Sequence, residues 1–145
     1  MLIIGLIYNL SVLVAIIVIS GFIDLRYKRT KLSGKVFQGI LFGSVAIIGM
    51  MNPVVTSEGI FFDGRSIVIS LAALFFGPIS GAISAIIAIL FRLYLGGIGK
   101  YLGVMVVITS FLIGWIFYEF RKRKKLEIIK VRTLLTMGVL VHLVM

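Results

Sequence analysis

The sequence has no cysteine, one histidine and five acidic residues among its 145 positions. The lack of cysteine excludes disulfide bonds, thiol nucleophiles and zinc–thiolate sites. The few acids leave little for acid–base catalysis, and we find no P-loop, no catalytic triad and no metal-ligand spacing. We therefore expect no enzymatic activity, no metal and no cofactor in this chain.

Charge is also scarce, whereas apolar residues are abundant. Charged residues make up 14% of the chain and hydrophobic residues 61%, and the mean hydropathy is +1.21. Soluble domains contain about 25% charged and about 45–50% apolar residues. Long uncharged apolar runs are typical of transmembrane helices. The composition argues against a water-soluble enzyme or a disordered chain, and it predicts an all-α, polytopic transmembrane helix bundle.

The fifteen lysines and arginines are unevenly distributed, because twelve of them lie in two clusters, at positions 26–35 and 121–132. Basic runs can bind nucleic acid. Here each run lies between apolar segments, so the positive-inside rule predicts two cytoplasmic loops. We expect a multi-pass protein with its N-terminus outside, in contact with the lipid bilayer and not with nucleic acid.

The apolar segments predict five complete spans and a truncated sixth. The predicted helices are Met1–Ile23, Val36–Met51, Asp63–Phe76, Ile79–Leu95, Tyr101–Phe120 and Thr133–Met145. The first would extend about 34 Å, which matches a bilayer core of about 30 Å. The sixth is too short to cross. We therefore expect one domain over residues 1–145 that is incomplete at its C-terminus, with no output domain.

The helix break at Gly77-Pro78 is inferred from the distribution of charge. A single helix over the uncharged stretch 66–91 would leave the second basic cluster outside. Proline removes a backbone donor and glycine relaxes the chain beside it, so this dipeptide favours a tight turn. The break places both basic clusters in the cytoplasm. It also makes the glycines at 96, 97 and 99 an outer turn.

Two arginines stand out, because ionisable residues at membrane depth are costly and mark function by default. Arg65 lies twelve residues before Gly77 and Arg92 fourteen after Pro78. In a hairpin, both would stand about 18–21 Å above the turn. Two guanidiniums at one level repel each other unless an anion joins them, and arginine binds carboxylate or phosphate bidentately.

The neighbours of these arginines leave alternatives open. Asp63 is placed to cap the third helix and to orient Arg65. Arg65 could instead form an ion pair with Asp63 or Glu58, and Arg92 could extend to the outer headgroups. Tyr94 flanks the glycine turn, where it is either an interface anchor or part of a ligand pocket.

Small residues on the fourth helix indicate which face packs. They form two rows at helical spacing, namely Gly77, Gly81 and Ala85, and Ser80, Ser84 and Ala88. Such rows allow close packing of membrane helices, so Arg92 is expected to face the bundle. Gln38 is predicted to form a hydrogen bond between helices.

The segment from Asn52 to Gly97 carries several motifs in a fixed order. They are F-D-G-R at Phe62–Arg65, L-F-F-G-P-I-S-G-A-I at Leu74–Ile83, and I-A-I-L-F-R-L-Y-L-G-G at Ile87–Gly97. Together they resemble the LytS/YhcK-type five-transmembrane receptor domain (5TMR-LYT). This family forms the sensor part of bacterial membrane histidine kinases and diguanylate cyclases. The resemblance implies signal reception in the bacterial inner membrane, with small carboxylates such as pyruvate as ligands of some members. It places the two family arginines at Arg65 and Arg92.

Three functions are weighed against one another. A receptor that binds a small external carboxylate explains both arginines. The substrate-binding subunit of a vitamin-type transporter is the alternative, although such subunits often carry an alanine-xxx-alanine face where Met1–Ile23 has only Ala15. A passive anchor explains the hydrophobicity but not two arginines equidistant from a break. The oligomeric state stays open, with a homodimer as one option.

Overall fold

The computed structural model describes residues 2–51, 54–55, 61–62, 64–124 and 131–144. The helices are α1 (Leu2–Arg26), α2 (Leu32–Met51), α3 (Gly64–Phe76), α4 (Pro78–Leu95), α5 (Lys100–Arg123) and α6 (Val131–Val144). Between α2 and α3, strand β1 (Val54–Val55) pairs antiparallel with β2 (Phe61–Phe62). The predicted all-helical bundle is confirmed. The short strand pair lies where the sequence predicted only a loop.

The predicted helix break is also confirmed. α3 ends at Phe76 and α4 begins at Pro78, and the intervening Gly77 has a φ of 92° that L side chains rarely adopt. Pro78 occupies the first position of α4, where its missing N–H costs no intrahelical bond. At the other end of α4, Gly96 and Gly97 have φ values of 68° and 88°. Both turns therefore depend on glycine.

The helices differ in whether they are long enough to cross a membrane. Within residues 2–51, 64–124 and 131–144, four helices are long and apolar enough to cross a membrane: α1, α2, α4 and α5. α3 has 13 residues, which extend about 20 Å. α6 has 14 residues. The count of five complete spans therefore stays a prediction.

α3 is the central helix of the bundle. Its buried residues are Ser66, Val68, Ile69, Ser70, Ala72, Ala73, Leu74 and Phe76. It contributes to three hydrophobic clusters, which it shares with α1 and α2, with α2, α4 and α5, and with α6. Because protein surrounds α3 on several sides, its length need not match the thickness of the lipid.

The small-residue rows are the packed face of α4, as the sequence predicts. The buried residues of α4 are Ser80, Gly81, Ser84, Ala85 and Ala88. A β-carbon added at Gly81 would lie 2.8 Å from Cα of Ala73 in α3. One added at Gly114 of α5 would lie 2.9 Å from Cα of Ser70, also in α3. Because glycine has no side chain, both helices can approach the α3 backbone closely, which increases their van der Waals contact.

The described residues of the two basic clusters and the Gly77-Pro78 turn lie at one end of the bundle, which we call the basic end. The Arg29 guanidinium lies 5.1 Å from the ring centre of Phe76, the last residue of α3. A β-carbon added at Gly77 would lie 3.2 Å from Cζ of Tyr118, near the end of α5. The opposite end, where α3 and α5 begin, is called the arginine end.

Candidate functional site at the arginine end

Arg65 and Arg92 lie beyond the same buried apolar cluster. This cluster is formed by Ala46 of α2, Ile69 of α3, Ala85 and Ala88 of α4, and Val107 of α5. Arg65 precedes Ile69 by one helical turn, and Arg92 follows Ala88 by one turn. α3 and α4 run in opposite directions from the Gly77-Pro78 turn. Both arginines therefore lie one turn beyond the cluster, at the same end of the bundle.

The Arg92 side chain lies against the first turn of α5. Its Nη2 donates a hydrogen bond to the carbonyl oxygen of Gly99, at 3.3 Å. Its Nε is buried and, among the residues that the structure describes, has no hydrogen-bond acceptor. A guanidinium carries five N–H donors. Arg92 therefore lies against α5, which agrees with the prediction that it faces the bundle, and it retains donors for a further partner.

Arg65 is the second residue of α3 and is half-buried. A β-carbon added at Gly49 would lie 4.0 Å from the Arg65 backbone nitrogen, so the start of α3 lies close to α2. The next residue, Ser66, is fully buried. The first amides and the dipole of a helix favour negative charge at its start. This position therefore suits a side chain that binds an anion.

Two other residues were predicted to belong to the site. Asp63 lies outside the described residues. Tyr94 is 86% exposed, and its ring contacts Phe91 at a centroid distance of 6.4 Å. Residues two positions apart point to different sides of a helix. The structure therefore does not bring the Tyr94 side chain onto the face of α4 that carries Arg92.

A polar network at the basic end went largely unpredicted. Gln38 is 1% exposed, and its Nε2 donates to the Ser20 carbonyl oxygen and to Asp24 Oδ1, both at 3.0 Å. This confirms Gln38 as a hydrogen-bond partner between helices. Arg29 Nε donates to Asp24 Oδ2 at 2.6 Å. The available sequence signal was Asp24, an acid that directly adjoins the first basic cluster.

A groove of about 610 Å³ lies elsewhere, along α5. It is lined by Leu112, Trp115, Ile116, Glu119, Phe120, Arg123 and Lys124. These side chains come from α5 and from Lys124, the residue that follows it, and they extend toward the basic end. Ligand sites usually combine apolar walls with convergent polar groups from several elements. The groove therefore marks an open helix face, and it is separate from the two arginines.

The fold and the site define a class of protein, namely a polytopic, all-helical membrane protein with two arginines at one end of its bundle. A family model described as "5TMR of 5TMR-LYT" matches residues 19–145. The chain therefore belongs to the 5TMR-LYT family of membrane sensor domains. No curated protein and no solved structure matches the chain significantly. The family assignment confirms the resemblance found in the motifs and favours a sensor over a transporter subunit.

Proposed function

We propose that the chain is a signal-receptor domain that binds a small carboxylate, such as pyruvate, between Arg65 and Arg92. It passes the signal to a cytoplasmic histidine kinase or diguanylate cyclase domain outside this sequence. The observation that carries this proposal is the placement of both arginines, from antiparallel helices, one turn beyond one buried cluster. Membership in a family of membrane sensors supports signal reception.

The chemistry of the site favours a small anion. Each guanidinium can donate two parallel hydrogen bonds to a carboxylate, and an anion between the two relieves their repulsion. Below them, Ile69 and Ala88 are fully buried in the apolar cluster, so the space available beneath the arginines favours a small ligand. The buried Nε of Arg92 has no acceptor among the described residues, and an unpaired charged group at membrane depth is costly, so anion binding at Arg92 would offset that cost.

Removal of either arginine tests the site directly. Pyruvate is titrated by calorimetry into the protein in lipid nanodiscs. Arg65→Ala and Arg92→Ala should each weaken binding by about 30- to 4000-fold, since breaking one side of a buried charged pair costs about 2–5 kcal/mol. Arg→Lys should also weaken binding, because lysine lacks the planar fork.

Lys100→Ala is the matched control, because it removes one positive charge at the start of α5, near the same end. It should bind pyruvate like the parent. Parent-like affinity in both arginine variants would contradict the proposal. An equal loss in Lys100→Ala would show a general effect of charge instead of a site.

The orientation in the membrane is part of the proposal. We place the arginine end outside and the basic end in the cytoplasm of a bacterium, because the positive-inside rule assigns basic clusters to the cytoplasmic side. Single cysteines at Lys31 and Lys124 should be protected from an impermeant thiol reagent in intact cells, whereas one at Gly99 should react. Labelling of the Lys124 position from outside would contradict this orientation.

A further inference from the structure

Gly103, in the first turn of α5, lies directly beneath the Arg92 side chain. A β-carbon added at Gly103 would overlap Nε of Arg92 and would lie 3.1 Å from its Cδ and 3.2 Å from its Cγ. Gly103 is itself buried. The stem and Nε of Arg92 therefore rest on the backbone of α5, in space that any other residue at position 103 would occupy.

The same turn of α5 also holds the head of the Arg92 side chain. The Gly99 carbonyl oxygen accepts Arg92 Nη2 at 3.3 Å and the Gly103 N–H at 2.9 Å. A contact of 3.3 Å lies beyond the usual N–H···O distance of about 2.9–3.0 Å. A carboxylate is a stronger acceptor for a guanidinium than a carbonyl shared in this way. An anion can therefore compete with Gly99 for Arg92.

We infer that Gly103 is a positioning residue. Because it has no side chain, the Arg92 side chain packs against the α5 backbone, and an anion bound by Arg92 therefore acts on α5 as well as on α4. The identity of the ligand in this inference rests on the proposed function, whereas the packing of Arg92 against Gly103 does not. α5 continues to the basic end, where Tyr118 contacts the Gly77 turn. One continuous helix thus connects the backbone on which Arg92 packs with the opposite end of the bundle.

Gly103→Ala tests whether Gly103 positions the Arg92 side chain, and it should have little effect on the fold. The atoms that a new β-carbon would meet belong to the flexible Arg92 side chain, so the guanidinium has to move while the helices stay in place. Gly138→Ala in α6 is the matched control, because a β-carbon there would meet nothing within 4 Å. Both variants are studied as the full chain in lipid nanodiscs.

The first measurement uses no ligand. Modification of arginines by phenylglyoxal is followed residue by residue with mass spectrometry. The rate at Arg92 should rise several-fold in Gly103→Ala, while the rate at Arg65 and both rates in Gly138→Ala should stay at parent values. An unchanged rate at Arg92 in Gly103→Ala would overturn the inference, whatever the protein binds.

The second measurement is the affinity for pyruvate. Gly103→Ala should weaken binding by about 10- to 100-fold, because a displaced guanidinium loses its bidentate geometry. In the Arg92→Ala background, Gly103→Ala should cause no further loss, since Gly103 acts through Arg92. A further loss in the double variant would contradict the positioning role. If Gly103→Ala speeds modification of Arg92 but leaves the affinity for pyruvate unchanged, Gly103 does position Arg92, and the proposed ligand site is refuted.

Discussion

Arg29 at the basic end and Arg92 at the arginine end differ in their partners. At the basic end, Arg29 forms an ion pair with Asp24 and lies over the Phe76 ring. Asp24 in turn accepts a hydrogen bond from Gln38 of α2. At the arginine end, Arg92 makes one long hydrogen bond to a backbone carbonyl within the described chain, and its Nε is buried without an acceptor there.

This difference indicates a division of labour between the two ends. Contacts at the basic end are made by the chain itself, so they hold α1, α2 and α3 together whether or not a ligand is present. At the arginine end, a buried donor without an acceptor costs about 1–3 kcal/mol. A bound anion would remove that cost. Arg92, whose Nε lacks an acceptor among the described residues, is therefore the arginine at which the proposed anion would have the larger effect.

The helix contact between the two ends gives the largest predicted effect. Gly81→Leu should lower the free energy of unfolding by about 3 kcal/mol, because its side chain would overlap Ala73 and separate α3 from α4. Thermal unfolding in detergent measures the loss. Gly21→Leu is the control, since a β-carbon at Gly21 would meet nothing within 4 Å. Equal stability of the two variants would show that close α3–α4 packing is dispensable.

The turn at the basic end gives the next effect. Gly77→Ala should cost about 1–3 kcal/mol, because alanine is strained at a φ of 92° and its β-carbon would press on Tyr118. Gly64→Ala provides the comparison, because a β-carbon at Gly64, the first residue of α3, would meet nothing within 4 Å. The free energy of unfolding of each variant is measured under one set of conditions. A Gly77→Ala protein as stable as Gly64→Ala would refute a strained turn.

The ion pair at the basic end should contribute less. Asp24→Asn should cost about 0.5–1 kcal/mol, since the Arg29 side chain is 58% exposed and such pairs are weak. The loss should shrink in high salt, which screens exposed charges. Asp24→Ala should cost about 1 kcal/mol more, because it also removes the oxygen that accepts the Gln38 hydrogen bond. Identical losses for both substitutions would show that this hydrogen bond does not matter.

The sequence predicted features that depend on local chemistry. Proline and glycine act on their own backbone, so the Gly77-Pro78 break followed from two residues, and the buried face of α4 followed from helical spacing. Contacts between distant segments carry no such signal. The partners that Gln38 finds on α1, and the position of Gly103 against Arg92, depend on how helices meet in space. The short α3 is equally a tertiary feature, because enclosure by other helices relieves it of matching the lipid.

Tyr94 shows the same limit and gives the smallest predicted effect. Its position beside the glycine turn left two options open, an interface anchor or part of the proposed ligand pocket; it is 86% exposed and lies on a different face of α4 from Arg92. Tyr94→Ala should therefore change the Kd for pyruvate by less than about twofold, as exposed substitutions usually shift free energies by about 0.5 kcal/mol or less. The measurement is the same titration used for Arg92→Ala. A tenfold or greater loss would mean that the ligand contacts the exposed face of α4. In that case the ligand would reach Arg92 from the surface of the bundle instead of from between α3 and α4. The contrast between the two ends would then have to include the exposed face of α4.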